Sequence, residues 1–503
     1  MTQIPDRKSY YLALFACFLS GALLVAAFAP LEWSPLAFLC TAVLFYCCRD
    51  RPARQTFWIG LSFGYGLFLV GVSWVYVSLH TYGGMPLWMG SIAVLLFAGI
   101  LGVFSGFTTY SAARLFPGGG ATRILALGFL WIIFEWLKSW VFTGFPWLEL
   151  GYTQTATWLF GFAPLGGVYL VSLVVVVVAS CLVLLWKSPG KLVPSLAITM
   201  IFILGWYAGG IQWSKDIGDA IKVGIVQPNV PINQKWQAQY RDRVVNRLQT
   251  MSRELGSQSS PGHGQIDLLV WPETALPIYY QQTDQAFWQA LVPSGTALLT
   301  GVVDNPEPAE SYNAAVLSCA GVQHLYRKRH LVPFGEYLPM RFLFNWLLEY
   351  LRLPMSDFSS WSEPQVLNCG DNINIGLSIC YEDAFASEMR RHVGDASLLI
   401  NISEDAWFGD SLAPHQRLQM AQMRARELSR PLVRSANTGP SVVIDQFGTV
   451  LVRTTQFQAR TLSHRIWPQT GETPYKRWGN WIIWLAMLVV VTMFAVKRRS
   501  RNE

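Results

Sequence analysis

The sequence predicts a polytopic α-helical membrane domain joined to a layered α/β domain. Three observations carry that expectation. The 503-residue chain is 52% hydrophobic and only 14% charged, with a mean hydropathy of +0.30, which is too apolar for an ordinary soluble protein. The apolar residues gather into about eight long runs, each near the length that crosses a bilayer. One stretch, 212–477, is different: its charges are mixed and short strand-like runs alternate with helical ones.

The apolar runs cover residues 10–28, 34–48, 57–79, 87–110, 124–142, 165–186, 192–208 and 481–496. A span needs ~20 residues, so 34–48 is short. No small-residue cleavage site ends the first run, which therefore reads as an anchor rather than a cleaved signal. Basic residues flank alternate loops: Arg49, Arg51 and Arg54; Arg114 and Arg123; Lys187 and Lys191; and Lys497, Arg498, Arg499 and Arg501. The intervening loops hold Glu32, His80 and Glu149 and no Lys or Arg. The positive-inside rule then places both termini in the cytoplasm and 212–477 on the opposite side. The net charge of +7 has a topological explanation, and nucleic acid is not an expected partner. The expected organisation is a transmembrane domain over 1–211, an extracytoplasmic domain over 212–477, and a last helix with a basic tail over 478–503. In the fifth run Glu135 and Lys138 are three apart and share a helix face. Ionisable groups inside a membrane suggest a functional site by default, with helix packing as the plainer reading.

Within the polar domain, 221–227 reads as a strand and 233–255 as a helix. A strand at 266–271, a short helix at 286–291 and a strand at 297–303 follow. Residues 313–318 and 323–328 form an expected strand pair. Next come a strand at 373–379, a helix, a strand at 398–402, a helix at 414–429 and a strand at 432–435. A last pair, 441–445 and 450–454, flanks a turn at Gln446-Phe447-Gly448. Strands alternating with helices, with hairpins added, predict an α/β or α+β layered sandwich.

The chemistry-bearing residues fall at strand ends. Leu377-Ser378-Ile379-Cys380-Tyr381-Glu382-Asp383 closes a period-two strand and opens a helix that Asp383 is placed to cap. A thiol there meets the positive end of a helix dipole, which favours the thiolate. Taken alone, Cys380 is equally a buried structural cysteine. Trp271-Pro272-Glu273 ends another strand, because Pro272 cannot donate to a ladder. Tyr326-Arg327-Lys328-Arg329 runs into Val332-Pro333-Phe334-Gly335-Glu336. A carboxylate, a cation and a thiol at the ends of separate strands supply base, charge stabiliser and nucleophile for acyl transfer through a thioester.

The trio Trp271-Pro272-Glu273, Lys328 and Cys380-Tyr381-Glu382 resembles the nitrilase, or carbon–nitrogen hydrolase, superfamily. With the membrane frame, the stretch Lys328 through Glu336, together with Asp405-Ala406-Trp407-Phe408-Gly409, Gly144-Phe145-Pro146-Trp147 and Gln227-Pro228-Asn229, resembles the apolipoprotein N-acyltransferases over essentially the whole chain. The resemblance implies a four-layer αββα sandwich and a Glu-Lys-Cys triad of Glu273, Lys328 and Cys380. It implies transfer of a fatty acyl chain from a membrane phospholipid to the α-amine of a diacylglyceryl-cysteine apolipoprotein, the last step of lipoprotein maturation. It also implies a bacterial inner membrane with the catalytic domain on the periplasmic side. Glu336 is expected to orient the triad, and Tyr381 and Glu382 to lie beside the nucleophile, with Glu382 holding Lys328. Trp236, Asn313, Trp407 and Phe408 are expected to shape the pocket.

No cofactor or metal is expected. C-x-x-C and H-E-x-x-H spacings are absent from the sequence. Cys319 and Cys369 are candidates to pair in an oxidising compartment, a geometry that sequence does not supply. The aromatic and leucine-rich stretch 341–353 reads either as a core helix or as a lid that dips into the membrane interface. The rival functions are a membrane-tethered amidase or nitrilase with water as acceptor, and a transporter or receptor with an external binding domain. A Cys-His protease built on His330 leaves both Glu273 and the spans unexplained.

Overall fold

The computed structural model describes residues 7–187, 190–257, 265–307, 310–340, 342, 357–363, 365–370 and 373–502. The stretch 341–353 lies outside them apart from Phe342. The chain divides into two compact units. One comprises Met1–Thr81, Met85–Ile211 and Arg477–Glu503, the other Tyr82–Gly84 and Gln212–Lys476.

In the first unit, among the described residues, six helices are long and apolar enough to cross a membrane: Arg7–Ala27, Leu87–Leu115, Gly120–Lys138, Trp158–Trp186, Leu192–Gly209 and Trp481–Ser500. The run expected at 34–48 is a shorter apolar helix, Pro35–Cys48. The run expected at 57–79 is a helix only over Ala53–Gly71 and is followed by a separate π-helical turn, Val77–Tyr82. Val72, Ser73, Val75, Val77 and Ser78 supply the β-branched and hydroxyl side chains that weaken a helix there. Glycines let helices approach closely: a Cβ on Gly64 would lie 2.8 Å from Gly102 Cα, the small-residue contact common between membrane helices.

Glu135 and Lys138 are both buried. Glu135 Oε1 accepts from Trp131 Nε1 and from the Leu150 backbone N–H, each at 2.9 Å. Lys138 Nζ donates to the Trp147 carbonyl at 2.5 Å. The two side chains thus satisfy backbone groups at the two ends of the irregular segment Trp147–Leu150.

The second unit contains β1 (Ser214–Asp216), β2 (Ile221–Gln227), β3 (Leu268–Val270), β4 (Ala297–Glu307), β5 (Glu310–Cys319), β6 (Val322–Arg327), β7 (Val366–Cys369), β8 (Ile373–Ile379), β9 (Leu398–Ser403), β10 (Leu432–Ala436), β11 (Val442–Ile444), β12 (Val450–Arg453), β13 (Arg460–Ile466) and β14 (Gln469–Gly471). One six-stranded sheet has the order β13-β2-β3-β4-β5-β6 and the other β12-β11-β10-β9-β8-β7. In each, three neighbouring strands run parallel, β2-β3-β4 and β8-β9-β10. Parallel strands must be covered on both faces, and they are. Val223, Ile225, Leu268 and Leu299 from the first sheet pack against Ile375, Leu377, Ile400 and Val433 from the second.

The outer faces carry helices. Val244 and Leu248 of the helix Arg241–Ser257 and Trp288 and Leu291 of Gln285–Leu291 cover the first sheet. Met389 of Ala386–His392 and Leu418, Ala421 and Ala425 of Ala413–Leu428 cover the second. The result is a helix–sheet–sheet–helix sandwich. Cys319 and Cys369 form a disulfide with a Cα–Cα distance of 5.7 Å, joining the end of β5 in one sheet to the end of β7 in the other.

Two local expectations are corrected. The helix expected over 233–255 is broken into Ile232–Lys235, Ala238–Tyr240 and Arg241–Ser257, because the buried Lys235 ammonium is drawn inward to the Glu273 carbonyl and the Glu404 carboxylate. Asp383 does not cap a helix. It lies in a 3-10 turn, Cys380–Ala384, and is buried against Arg417, while the helix starts at Ala386 with Phe385 as its cap residue. The strands β1, β7 and β14, of three or four residues, are too short to show alternation in sequence, and the seven-residue β13 alternates only from Leu462.

Candidate active site

Glu273, Lys328 and Cys380 each lie just past the carboxyl end of a strand, β3, β6 and β8 respectively. That is where open α/β sheets collect their functional groups. All three are buried. The Trp271-Pro272-Glu273 turn rests on β4 at Gly301, where a Cβ would stand 2.8 Å from Glu273 Cα. Glycine at this point lets the carboxylate approach the sheet edge.

The carboxylate of Glu273 is gripped on both oxygens. Oε1 accepts from Asn313 Nδ2 at 2.7 Å and lies 3.6 Å from Lys328 Nζ. Oε2 accepts from the Glu404 backbone N–H at 2.8 Å. Lys328 Nζ donates to Glu336 Oε1 at 2.8 Å. The same Asn313 amide nitrogen donates to Glu336 Oε1 at 2.7 Å. Glu336 is fixed in turn by the Val332 N–H on its other oxygen. Asn313, expected only to shape a pocket, therefore ties the two carboxylates together. Its position in β5 also sets Lys328, whose N–H bonds the Asn313 carbonyl at 2.8 Å.

Charge in this pocket is steered by burial and by partners. Burial alone would lower the Lys328 ammonium, but Glu336, Glu273 and Cys380 outweigh it and hold it above the ordinary lysine value. Lys328 therefore stays a cation at neutral pH. Burial pushes the Cys380 thiol up to about 11; Glu273 adds to the rise, and Arg417 and Lys328 oppose it. The resting nucleophile is a thiol. The expectation of a thiolate favoured by a helix dipole is thus corrected: the helix begins six residues beyond Cys380, and desolvation dominates.

Cys380 itself has φ +50°, in the left-handed region that a non-glycine residue enters at a cost. Beneath it Glu382 is the anchor of the turn. Its carboxylate accepts from the N–H groups of Ile379 at 2.7 Å and Arg329 at 2.7 Å, and from the Tyr326 hydroxyl at 2.8 Å. Glu382 does not hold Lys328 as expected: its carboxylate is occupied with backbone donors, and Glu336 is the acceptor for Lys328 Nζ. Through its bonds to Arg329 and Ile379, Glu382 links the chain after β6 to the end of β8. Burial raises the Glu382 carboxyl, opposed by Arg329 and the backbone donors.

Tyr381 is buried and packs edge-on to Phe385 with ring centroids 4.9 Å apart. Trp236 is 40% exposed at the end of the Ile232–Lys235 turn. Trp407 and Phe408 are half-buried on the turn Asp405–Phe408 after β9.

Three further residues at the site carry no sequence signal. Lys235 Nζ bonds the Glu273 carbonyl at 2.9 Å and Glu404 Oε2 at 2.6 Å. Asn437 Nδ2 steadies the Glu404 carboxylate. Arg417 Nη1 lies 3.2 Å from Cys380 Sγ. Arg417 belongs to a helix of polar composition, in which nothing local tells a buried arginine from a solvated one.

Comparison with known proteins bears on the whole chain. The family described as apolipoprotein N-acyltransferase N-terminal domain matches residues 20–181, and the family described as carbon-nitrogen hydrolase matches residues 222–475. An apolipoprotein N-acyltransferase of Methylococcus capsulatus is 34% identical over 98% of this chain and 97% of its own length. One of Coxiella burnetii is 37% identical over 92% of this chain and 95% of its own. One of Vibrio parahaemolyticus is 32% identical over 95% of this chain and 96% of its own.

Proposed function

The chain belongs to the apolipoprotein N-acyltransferase family, and from that premise we propose how its sheet domain carries out the transfer. The protein is a multi-pass membrane acyltransferase that acts in the N-acylation of lipoproteins. In the proposed reaction the acyl donor is a membrane phospholipid, and the acceptor is the free α-amine of a diacylglyceryl-cysteine at a lipoprotein's N-terminus. Residues 212–477 form the catalytic domain on the periplasmic side of the bacterial inner membrane. The domains 1–211 and 478–503 anchor it, and both termini are cytoplasmic. The Cys319–Cys369 disulfide supports this placement, since such bonds persist in oxidising compartments.

The reaction is ping-pong. Glu273 takes the proton of the Cys380 thiol as Sγ attacks the phospholipid ester carbonyl. The carbonyl oxygen becomes an oxyanion beside the Lys328 ammonium. An oxyanion donor of this kind contributes ~3 kcal/mol of barrier reduction. The intermediate collapses, the carbon–oxygen bond breaks, and the lysophospholipid leaves with the proton from Glu273. The acyl group remains as a thioester on Cys380. The acceptor amine then attacks the same carbon and gives its proton to Glu273. The carbon–sulfur bond breaks, an amide remains, and the thiol is restored.

The observation that carries this reading is the buried lysine held 2.8 Å from Glu336 and 3.6 Å from Glu273, in electrostatic reach of the Cys380 sulfur. Because the resting thiol is neutral, deprotonation must accompany attack, which is the task of the Glu273 carboxylate. The test is to incubate the purified protein with labelled phospholipid and no acceptor, then digest it. The peptide holding Cys380 should gain one acyl mass, and neutral hydroxylamine should remove it. Label on another cysteine, or full transfer by Cys380→Ala, overturns the mechanism. Steady release of free fatty acid with no acceptor present would mark the water-accepting hydrolase instead.

A further inference from the structure

Arg417 lies in the helix Ala413–Leu428 and is fully buried. Its guanidinium forks around a single residue. Nη1 lies 3.2 Å from Cys380 Sγ and 3.0 Å from Ser403 Oγ. Nη2 donates to the Cys380 carbonyl at 2.5 Å and to Asp383 Oδ1 at 2.7 Å. The fork therefore holds both the backbone and the side chain of a residue kept in the left-handed region. A planar, permanently charged fork suits that double grip in a way a lysine ammonium does not.

The two cations at the site have different partners. Lys328 is engaged with Glu336 and Glu273, whereas Arg417 directs one nitrogen at the sulfur. Two negative charges arise during the reaction. One is on the carbonyl oxygen of each tetrahedral intermediate, the other on sulfur whenever its proton or its acyl group departs. We propose that Arg417 is a further catalytic residue, which donates to the Cys380 sulfur and carries its negative charge as the carbon–sulfur bond forms and breaks. This rests on the thioester reading above and assigns the sulfur anion a partner separate from that of the oxyanion.

The charges around the sulfur are consistent with a switchable partner. Glu273 faces it from the end of β3, Lys328 from the end of β6 and Asp405 from the turn after β9. Asp383 and Tyr381 are its neighbours within the elbow. Arg417 also lies 3.7 Å from Asp405, which is paired closely with Arg434 at 2.8 Å. Two arginines thus face two aspartates, so the cluster is balanced while the thiol keeps its proton. Charge that appears on sulfur draws on Arg417, the member already bonded to it. Such charge-assisted bonds shorten and strengthen as the acceptor becomes anionic.

The test uses the full chain in detergent with three readouts. Alkylation of Cys380 by iodoacetamide, followed by the mass of its peptide from neutral to alkaline pH, reports the thiol midpoint. Single-turnover labelling with phospholipid reports acylation, and a chase with a synthetic diacylglyceryl-cysteine peptide reports deacylation. Arg417→Gln should raise the alkylation midpoint by about one pH unit or more, because a cation that favours the thiolate is gone. It should slow deacylation about 100-fold, since that step expels the thiolate. Arg417→Lys keeps a charge for Asp383 and hence the packing, and should fall between the two.

A folded Arg417→Gln with the wild-type midpoint and wild-type rates overturns the proposal. So does a loss of folded protein with unchanged rates per folded molecule, which would mark a structural role. Where Arg417→Gln does not accumulate, Arg417→Lys decides, and wild-type deacylation by that variant overturns the assignment. Failure of the thioester reading itself is distinguishable, because the wild-type protein would then carry no acyl group on Cys380.

Discussion

Each unit buries a glutamate–lysine pair, and the two pairs are built differently. In the membrane unit Lys138 bonds a backbone carbonyl, and Glu135 accepts from a backbone N–H and an indole. In the sheet domain Lys328 bonds Glu336 and stands near Glu273. Glu273 accepts from Asn313 and from one backbone N–H. A charge held by backbone groups fixes the path of the chain and has little left to change. A cation shared between two carboxylates and a thiol sits among groups that trade protons, so its surroundings can alter during a reaction. The same residue types therefore serve packing in one unit and chemistry in the other, according to what they are bonded to.

The largest effect expected from this comparison is at Lys328. Lys328→Arg keeps the charge but puts a planar fork where a compact ammonium fits between carboxylates at 2.8 Å and 3.6 Å. Acyl transfer, followed with labelled phospholipid and a diacylglyceryl-cysteine peptide, should fall about 1000-fold, with normal amounts of protein in the membrane. Near-normal transfer would reduce Lys328 to a member of the basic run with Arg327 and Arg329.

Asn313 should come next. Asn313→Ala removes a nitrogen that donates to both Glu273 and Glu336. The carboxylates repel without it, and a displacement of an ångström at a reacting group costs about 100-fold in rate. Single-turnover acylation of Cys380 should show the loss, while the amount of folded protein changes little. An unaffected acylation rate would mean that Lys328 alone aligns the base.

The smallest effect on chemistry, and a clear one on stability, is expected at Lys138. Lys138→Met strands buried carboxylates, since Glu135 and Glu149 are its charged neighbours, and breaking such a set costs about 3 kcal/mol. Heat-induced loss of solubility should shift downward, while transfer per folded molecule stays within about threefold of wild type, the change left when no reacting group moves. Equal losses of transfer at Lys138 and Lys328 would erase the contrast between the two pairs.

Much of this molecule was legible from local pattern. Runs of apolar residues, the placement of arginines and lysines beside them, and strand-like runs ending at Trp271, Lys328 and Ile379 are properties of neighbouring residues. They suffice to put Glu273, Lys328 and Cys380 at strand ends. What the tertiary structure alone decided is which charges lie together in the dark of the fold. Nothing near residue 313 announces a bond to Glu273, forty residues away, and to Glu336. Nothing in Gln416-Arg417-Leu418 announces a grip on Cys380, and Glu382, expected to hold Lys328, holds the backbone of Ile379 and Arg329 instead. The physical reason is that periodicity reports which face of an element is apolar. The state of a buried charge, by contrast, is set by desolvation and by partners that only the packed sheets bring within about 3 Å.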